Sequence, residues 1–293
     1  MNVEPTPGCP FFADGPSQPG NATDNQLQAE LPQGPTPYVQ YARMDALLAL
    51  QHPLSTADTE PGFIIMSQVK ELLFKLLHTE LTTIRDQLHK DQLDDALWTL
   101  RRSVRVQQVL LVCWETFSVL SPVEFAEFRD FFGAASGFQS VSYRRLEFLL
   151  GNKNPAMVEP HRNSPAYQEV LAQLHEPSLY DEALGLLTRR GLLAPHDAPT
   201  GDPTQPYRAG AEVEAAWRAV YRDPIRHRDL HLLAEALMDT ADQFARWRYT
   251  HLVTVQRILG AKPGTGGTSG VPWLAAISEH RFFPELWSAR SAL

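Results

Sequence analysis

The chain has 293 residues, 43% of them hydrophobic, enough apolar surface for one large core or two small ones. Its 26 Lys and Arg against 34 Asp and Glu give a formal net charge of −8, which argues against nucleic acid or an anionic membrane surface as the main partner. Cys9 and Cys113 are the only cysteines and lack the paired spacing of a zinc site or a disulfide framework. With no basic-then-apolar leader and no apolar run of about 18 residues, a soluble, cytoplasmic protein is expected.

Residues 1–37 are dense in proline, glycine and polar residues, and such a segment buries too little to offset the cost of ordering its backbone. A disordered tail is predicted there, followed by a single folded domain over 38–293. Helical spacing begins at Tyr38. It predicts a first helix over 38–50, stopped before Pro53, and a long second one over 63–89. A third is predicted over 93–117. Ser121 and Pro122 suit the cap and first turn of a short helix reaching Phe131. A loop over 133–138 and a helix over 142–150 follow. Residues 151–210 read as an irregular insertion with one or two short helices near 165–190. The longest helix is predicted from about Pro224 to Leu259, where Gly260 and Pro263 end it. No sustained period-two pattern and no repeat is visible, so the fold class is all-α: a helical bundle with a small helical insertion.

Within the last long helix His251 shares its stripe with Phe244, Trp247, Val255 and Ile258. An imidazole in so apolar a setting resists charging, and its nitrogens need a partner. A backbone carbonyl would serve; so would an iron, since neutral histidine is a common axial ligand of haem. The glycine-rich stretch Gly264–Gly270 follows a helix, lacks the lysine of a phosphate loop and misses the dinucleotide spacing. Nucleotide binding is therefore rejected, although backbone amides with Thr265, Thr268 and Ser269 could wrap a small anion. Arg129 lies among phenylalanines, a setting suited to a bidentate grip on a carboxylate, or else it pairs with Glu127 or Asp130 on a solvated face.

Three blocks carry a resemblance that adds to this reading. They are Trp247 through Gly270, Ser136-Gly137-Phe138-Gln139-Ser140 continuing through Leu146 to Lys153, and Phe63-Ile64-Ile65-Met66-Ser67-Gln68 with Glu71, Leu72 and Lys75. In this order, from about Tyr38 to the C-terminus, the chain resembles the tryptophan 2,3-dioxygenase family of haem-dependent helical enzymes. The resemblance implies haem b on His251, with Trp114 and Ser136 beside it and O2 as co-substrate. It implies substrate contacts from Phe63, Arg129 and Thr265, and a loop that closes over the amino acid. Tyr38 and Tyr41 resemble residues that one subunit lends to its neighbour, which implies a homo-oligomer, dimer or tetramer.

Two positions depart from the family pattern. Ser67 stands where the family carries a histidine within reach of the indole N–H, and serine is no base near neutral pH. Phe125 stands where a tyrosine is usual, which removes one hydrogen bond to the substrate carboxylate, worth about 1 kcal/mol. The expected chemistry is oxygen insertion across indole C2–C3 of L-tryptophan or a substituted tryptophan, giving N-formylkynurenine. The departures leave open a mono-oxygenase forming a 2-oxindole in secondary metabolism, and, in another class, a haem-based sensor without turnover. The other histidines lack the flanking motif and are assigned to surface or capping roles.

Overall fold

The structure, a computed structural model, describes residues 34–197 and 202–293. The tail expected before Tyr38 lies almost wholly outside the described residues. Chain contacts divide into two compact units, with the division between Gln51 and His52.

In the first unit the single helix expected over 38–50 is two short ones, α1 (Pro37–Ala42) and α2 (Met44–Leu48). Thr36 caps α1 by accepting the Val39 N–H, and Pro37 needs no donor partner in the first turn. Arg43 then takes a left-handed conformation at φ 50°, a strained geometry for a residue with a side chain, and the helix breaks there.

The second unit is built on three long helices: α3 (Glu60–His89), α4 (Leu93–Ser118) and the 32-residue α10 (Arg228–Leu259). Helix α3 starts earlier than Phe63 because Pro61 is tolerated in a first turn. The Glu60 carboxylate also accepts the Leu54 and Ser55 N–H groups at 2.9 and 2.7 Å, folding the preceding turn back onto the helix start. Phe74, Leu77, Leu81, Ile84 and Leu88 recur at helical spacing and share one buried cluster with Leu100, Leu110 and Trp114 of α4 and Leu233, Leu237 and Phe244 of α10.

Ser121 caps helix α5 (Pro122–Arg129) as the sequence predicts, and Glu124 completes a full capping box with it. It tightens into a 3-10 turn over Asp130–Phe132 instead of continuing as α-helix. Helix α6 (Val141–Leu149) follows. Among the described residues the insertion holds two α-helices, α7 (Tyr167–His175) and α8 (Leu179–Arg189).

Three helices escape the sequence reading: α9 (Ala211–Arg222), α11 (Val271–Ser278) and α12 (Pro284–Ala289). The segment around Pro224 is a turn between α9 and α10 and not the start of the long helix, consistent with the bar a proline sets on the residue before it. Buried Glu285 of α12 accepts the Tyr180 and Tyr207 hydroxyls (2.9 and 2.6 Å) and the Gly210 N–H (2.8 Å), tying α8, the loop before α9 and the C-terminus together. Among the described residues there is no strand, so the fold is all-α. No single helix among them is long and apolar enough to cross a membrane.

Candidate active site

His251 projects from α10 against Trp114 of α4. The two rings stack at 4.3 Å between centroids and 11°, and Trp247, one turn back, closes a second side at 5.7 Å. No protein group hydrogen-bonds either imidazole nitrogen among the described residues, so the carbonyl partner considered for a core histidine is not there. The residue is half-buried. Burial, with a smaller contribution from nearby Lys70, pushes its pKa down to about 3, so the ring is neutral with an unused lone pair. The indole N–H groups of Trp114 and Trp247 are buried and equally without acceptors. A neutral, unpartnered imidazole among aromatic walls fits an axial iron ligand better than a satisfied core residue.

Phe63 of α3 extends these walls. It meets Phe117 edge-on at 5.4 Å, Phe125 and Phe128 at 5.8 and 5.5 Å, and stacks on Phe132 at 4.9 Å. Ser67, one turn along α3, is partly buried, and its hydroxyl bonds to nothing among the described residues. Phe125 is buried, a ring where a tyrosine would have offered a hydroxyl.

At the other end of this aromatic group Arg129 closes α5. It forms no ion pair with Glu127 or Asp130; one amino group donates to the Pro263 carbonyl at 2.8 Å, and its buried Nε has no acceptor. The loop after α10 therefore docks on the arginine. Thr265 Oγ1 donates to the Ala135 carbonyl at 2.6 Å. Gly266 lies so close to Ser136 that a Cβ there would stand 2.5 Å from the serine Cβ; only glycine fits. Gly270, at φ 72° against the Lys262 carbonyl, ends the loop under the same constraint. Arg129, Ser136 and Thr265, far apart in sequence, are thus gathered at one loop.

Tyr38 and Tyr41 lie on α1 of the first unit and are 68% and 93% exposed. Three histidines assigned to surface or capping roles are not simple surface residues. His161 is buried with an unbonded Nε2, His78 bonds Gln173 at 2.6 Å, and His280 meets Arg248 at 3.2 Å. Lys70, Phe117 and Phe132, which the sequence reading did not single out, lie against the same rings. For Lys70 a signal existed, since it follows Phe63 and Ser67 by two turns and one turn on the same helix face. Cavities of about 480 and 740 Å³ lie elsewhere, beside α9 and beside α8 and α12, and contain none of the site residues.

The family model described as tryptophan 2,3-dioxygenase matches residues 23–179 and 207–293. A protein named tryptophan 2,3-dioxygenase from Polaromonas sp. (strain JS666) is 46% identical over 257 residues, covering 87% of this chain and 87% of its own length. Another of that name from Burkholderia pseudomallei (strain 668) is 42% identical over 98% of this chain and 97% of its own. A third, from Burkholderia lata, is 41% identical over 98% and 93%. These matches run through both the helix bearing His251 and the loop docked on Arg129, and the chain belongs to the tryptophan 2,3-dioxygenase family.

Proposed function

We propose that this chain binds haem b through His251 and uses O2 to oxidise L-tryptophan, or a close derivative, across the indole C2–C3 bond, with ring opening to N-formylkynurenine. The observation that carries this reading is the neutral, unpartnered His251 imidazole inside an aromatic chamber of a chain from this family. Haem, when bound there, supplies the iron that activates O2. The protein's own contribution is positioning and exclusion of water.

Arg129 exchanges the Pro263 carbonyl for the substrate carboxylate, a stronger, charge-assisted partner. Thr265 and Ser136 hold the amino-acid end as the glycine loop settles over it. Phe63, Phe125 and Phe132 provide faces for the indole ring. Ser67 offers a hydroxyl to the indole N–H and cannot take its proton near neutral pH. The reaction on this reading needs no strong base at that point, because indole is already electron-rich. The exposed rings of Tyr38 and Tyr41 suit contacts lent to a neighbouring subunit, so a homo-oligomer, dimer or tetramer, in the cytoplasm is part of the same proposal.

The mono-oxygenase and sensor alternatives find no support in the relatives' names. Mass spectrometry of the product from tryptophan under isotopically labelled O2 tests the reading. A ring-opened product with two labelled atoms is expected; a 2-oxindole with one would replace the dioxygenase reading by the mono-oxygenase one.

A further inference from the structure

Two inward-placed lysines in this chain, Lys153 buried and Lys70 half-buried, are treated in opposite ways. The Lys153 ammonium is held by three backbone carbonyls, those of Gln173 at 3.2 Å, Leu174 at 2.7 Å and Glu176. That is how a buried structural lysine is satisfied. Lys70 is half-buried and has no such partner. Its Nζ stands 4.1 Å from the Trp114 ring centroid and 4.4 Å from that of Phe117, with no ion pair or hydrogen bond among the described residues. Glu71 and the Cys113 thiol act on it only through space.

Ring faces recover part of the desolvation cost of an ammonium but leave its three donors unused. On the rings around it the indole N–H groups of Trp114 and Trp247, 5.7 Å apart, have no acceptors, and the Ser67 hydroxyl lies one turn back on α3. The two indoles are thus donors without acceptors beside a positive charge that Glu71 and Cys113 offset only through space. Burial lowers the Lys70 pKa only to about 8, which leaves the amine mostly charged near neutral pH.

We infer that Lys70 is the charged centre of an anion-holding point beside His251, which takes either a carboxylate of the prosthetic group or a small anion entering the chamber. The inference rests on the haem reading above and adds a residue that reading does not use.

Ferric, haem-loaded protein tests it in two arms. In the first, transfer of haem, and of haem dimethyl ester, to excess apomyoglobin is followed at the Soret band. In the second, azide is titrated into the loaded protein. Lys70→Met should accelerate haem loss or weaken azide binding on the order of tenfold to a hundredfold, the worth of one charge-assisted hydrogen bond. Lys70→Arg, which keeps the charge, should restore most of it. Faster loss of haem but not of its dimethyl ester assigns the point to a propionate. Weaker azide binding with unchanged haem loss assigns it to a small anion. Lys70→Gln supplies the same comparison if the Met variant does not fold. Unchanged rates and affinities in a protein whose haem still depends on His251 overturn this inference alone. Failure of the wild type to take up haem overturns it together with the haem reading.

Discussion

Arg248, buried, and His251, half-buried, sit one turn apart on α10, and their polar atoms meet opposite fates. Arg248, 2% exposed, donates to the Tyr143 hydroxyl at 3.1 Å, to Glu147 at 2.7 Å and to both the ring Nδ1 and the carbonyl of His280 at 3.2 Å. Glu147 in turn accepts Arg144, so a buried cluster links α6, α10 and the segment after α11. Since arginine only donates, His280 must present its Nδ1 lone pair, which keeps that ring neutral. His251 has none of this. The difference separates a polar cluster whose work is finished on folding from one that still lacks a partner, and only the second kind points to a ligand.

The largest expected effect breaks the finished cluster. Glu147→Leu leaves two buried arginines without a counter-charge and should cost about 3–5 kcal/mol of stability in urea unfolding. His251→Leu, similar in volume and with no bond to lose, should leave the apoprotein within about 1.5 kcal/mol of wild type. Equal losses from the two would erase the contrast. Next in size, Arg129→Ala should weaken tryptophan binding by about 2–5 kcal/mol in equilibrium titration if, as proposed, Arg129 exchanges the Pro263 carbonyl for the substrate carboxylate. Unchanged affinity removes it from the site.

The pH dependence sharpens the comparison from the other side. Burial, then the charge of Arg248, pushes the His280 pKa down to about 4. Between the ordinary value near 6.5 and about 4, the unfolded chain binds a proton that the folded one refuses. Stability present at neutral pH is therefore lost as the pH falls through that window, by about 2–3 kcal/mol for this group. His280→Gln should flatten that part of the profile of the apoprotein; an unchanged slope would mean the ring titrates normally. The smallest effect is at the loop. Gly266→Ala must push the chain away from Ser136, and it should reduce tryptophan affinity by about 1–2 kcal/mol while haem uptake stays as in wild type. Affinity equal to wild type would show that the docked loop is not the substrate-holding state.

Both kinds of site were unequally legible in the sequence. The long helices α3, α4 and α10 were readable because their apolar stripes repeat over many turns, and Ser121 and Gly260 mark ends by local chemistry. The short helices α11 and α12 offer too few turns for a period to stand out, whereas α9 carries a helical stripe of Val213, Ala216, Trp217 and Val220 that the sequence reading passed over, and Arg43 breaks the first helix without any glycine or proline to announce it. His251 stands out in the sequence by its apolar stripe and flanking motif, whereas Phe63 and Trp114, each readable alone as plain core, enter only through the family resemblance. The Glu147–Arg248 pair was not, because its partners lie 101 residues apart and each alone reads as an ordinary surface charge. Lys70 was passed over for the same reason: a lysine on a helix is usually solvated, and only its register with Phe63 and Ser67 shows that it faces inward.

The most direct measurement is a haemin titration of the apoprotein and of His251→Ala, followed at the Soret band. One haem per chain is expected for the wild type, with a five-coordinate histidine-ligated ferrous spectrum, and loss of that spectrum or of the haem is expected for the variant. A variant that takes up haem with wild-type affinity and the same spectrum would contradict the assignment of His251 as the iron's ligand.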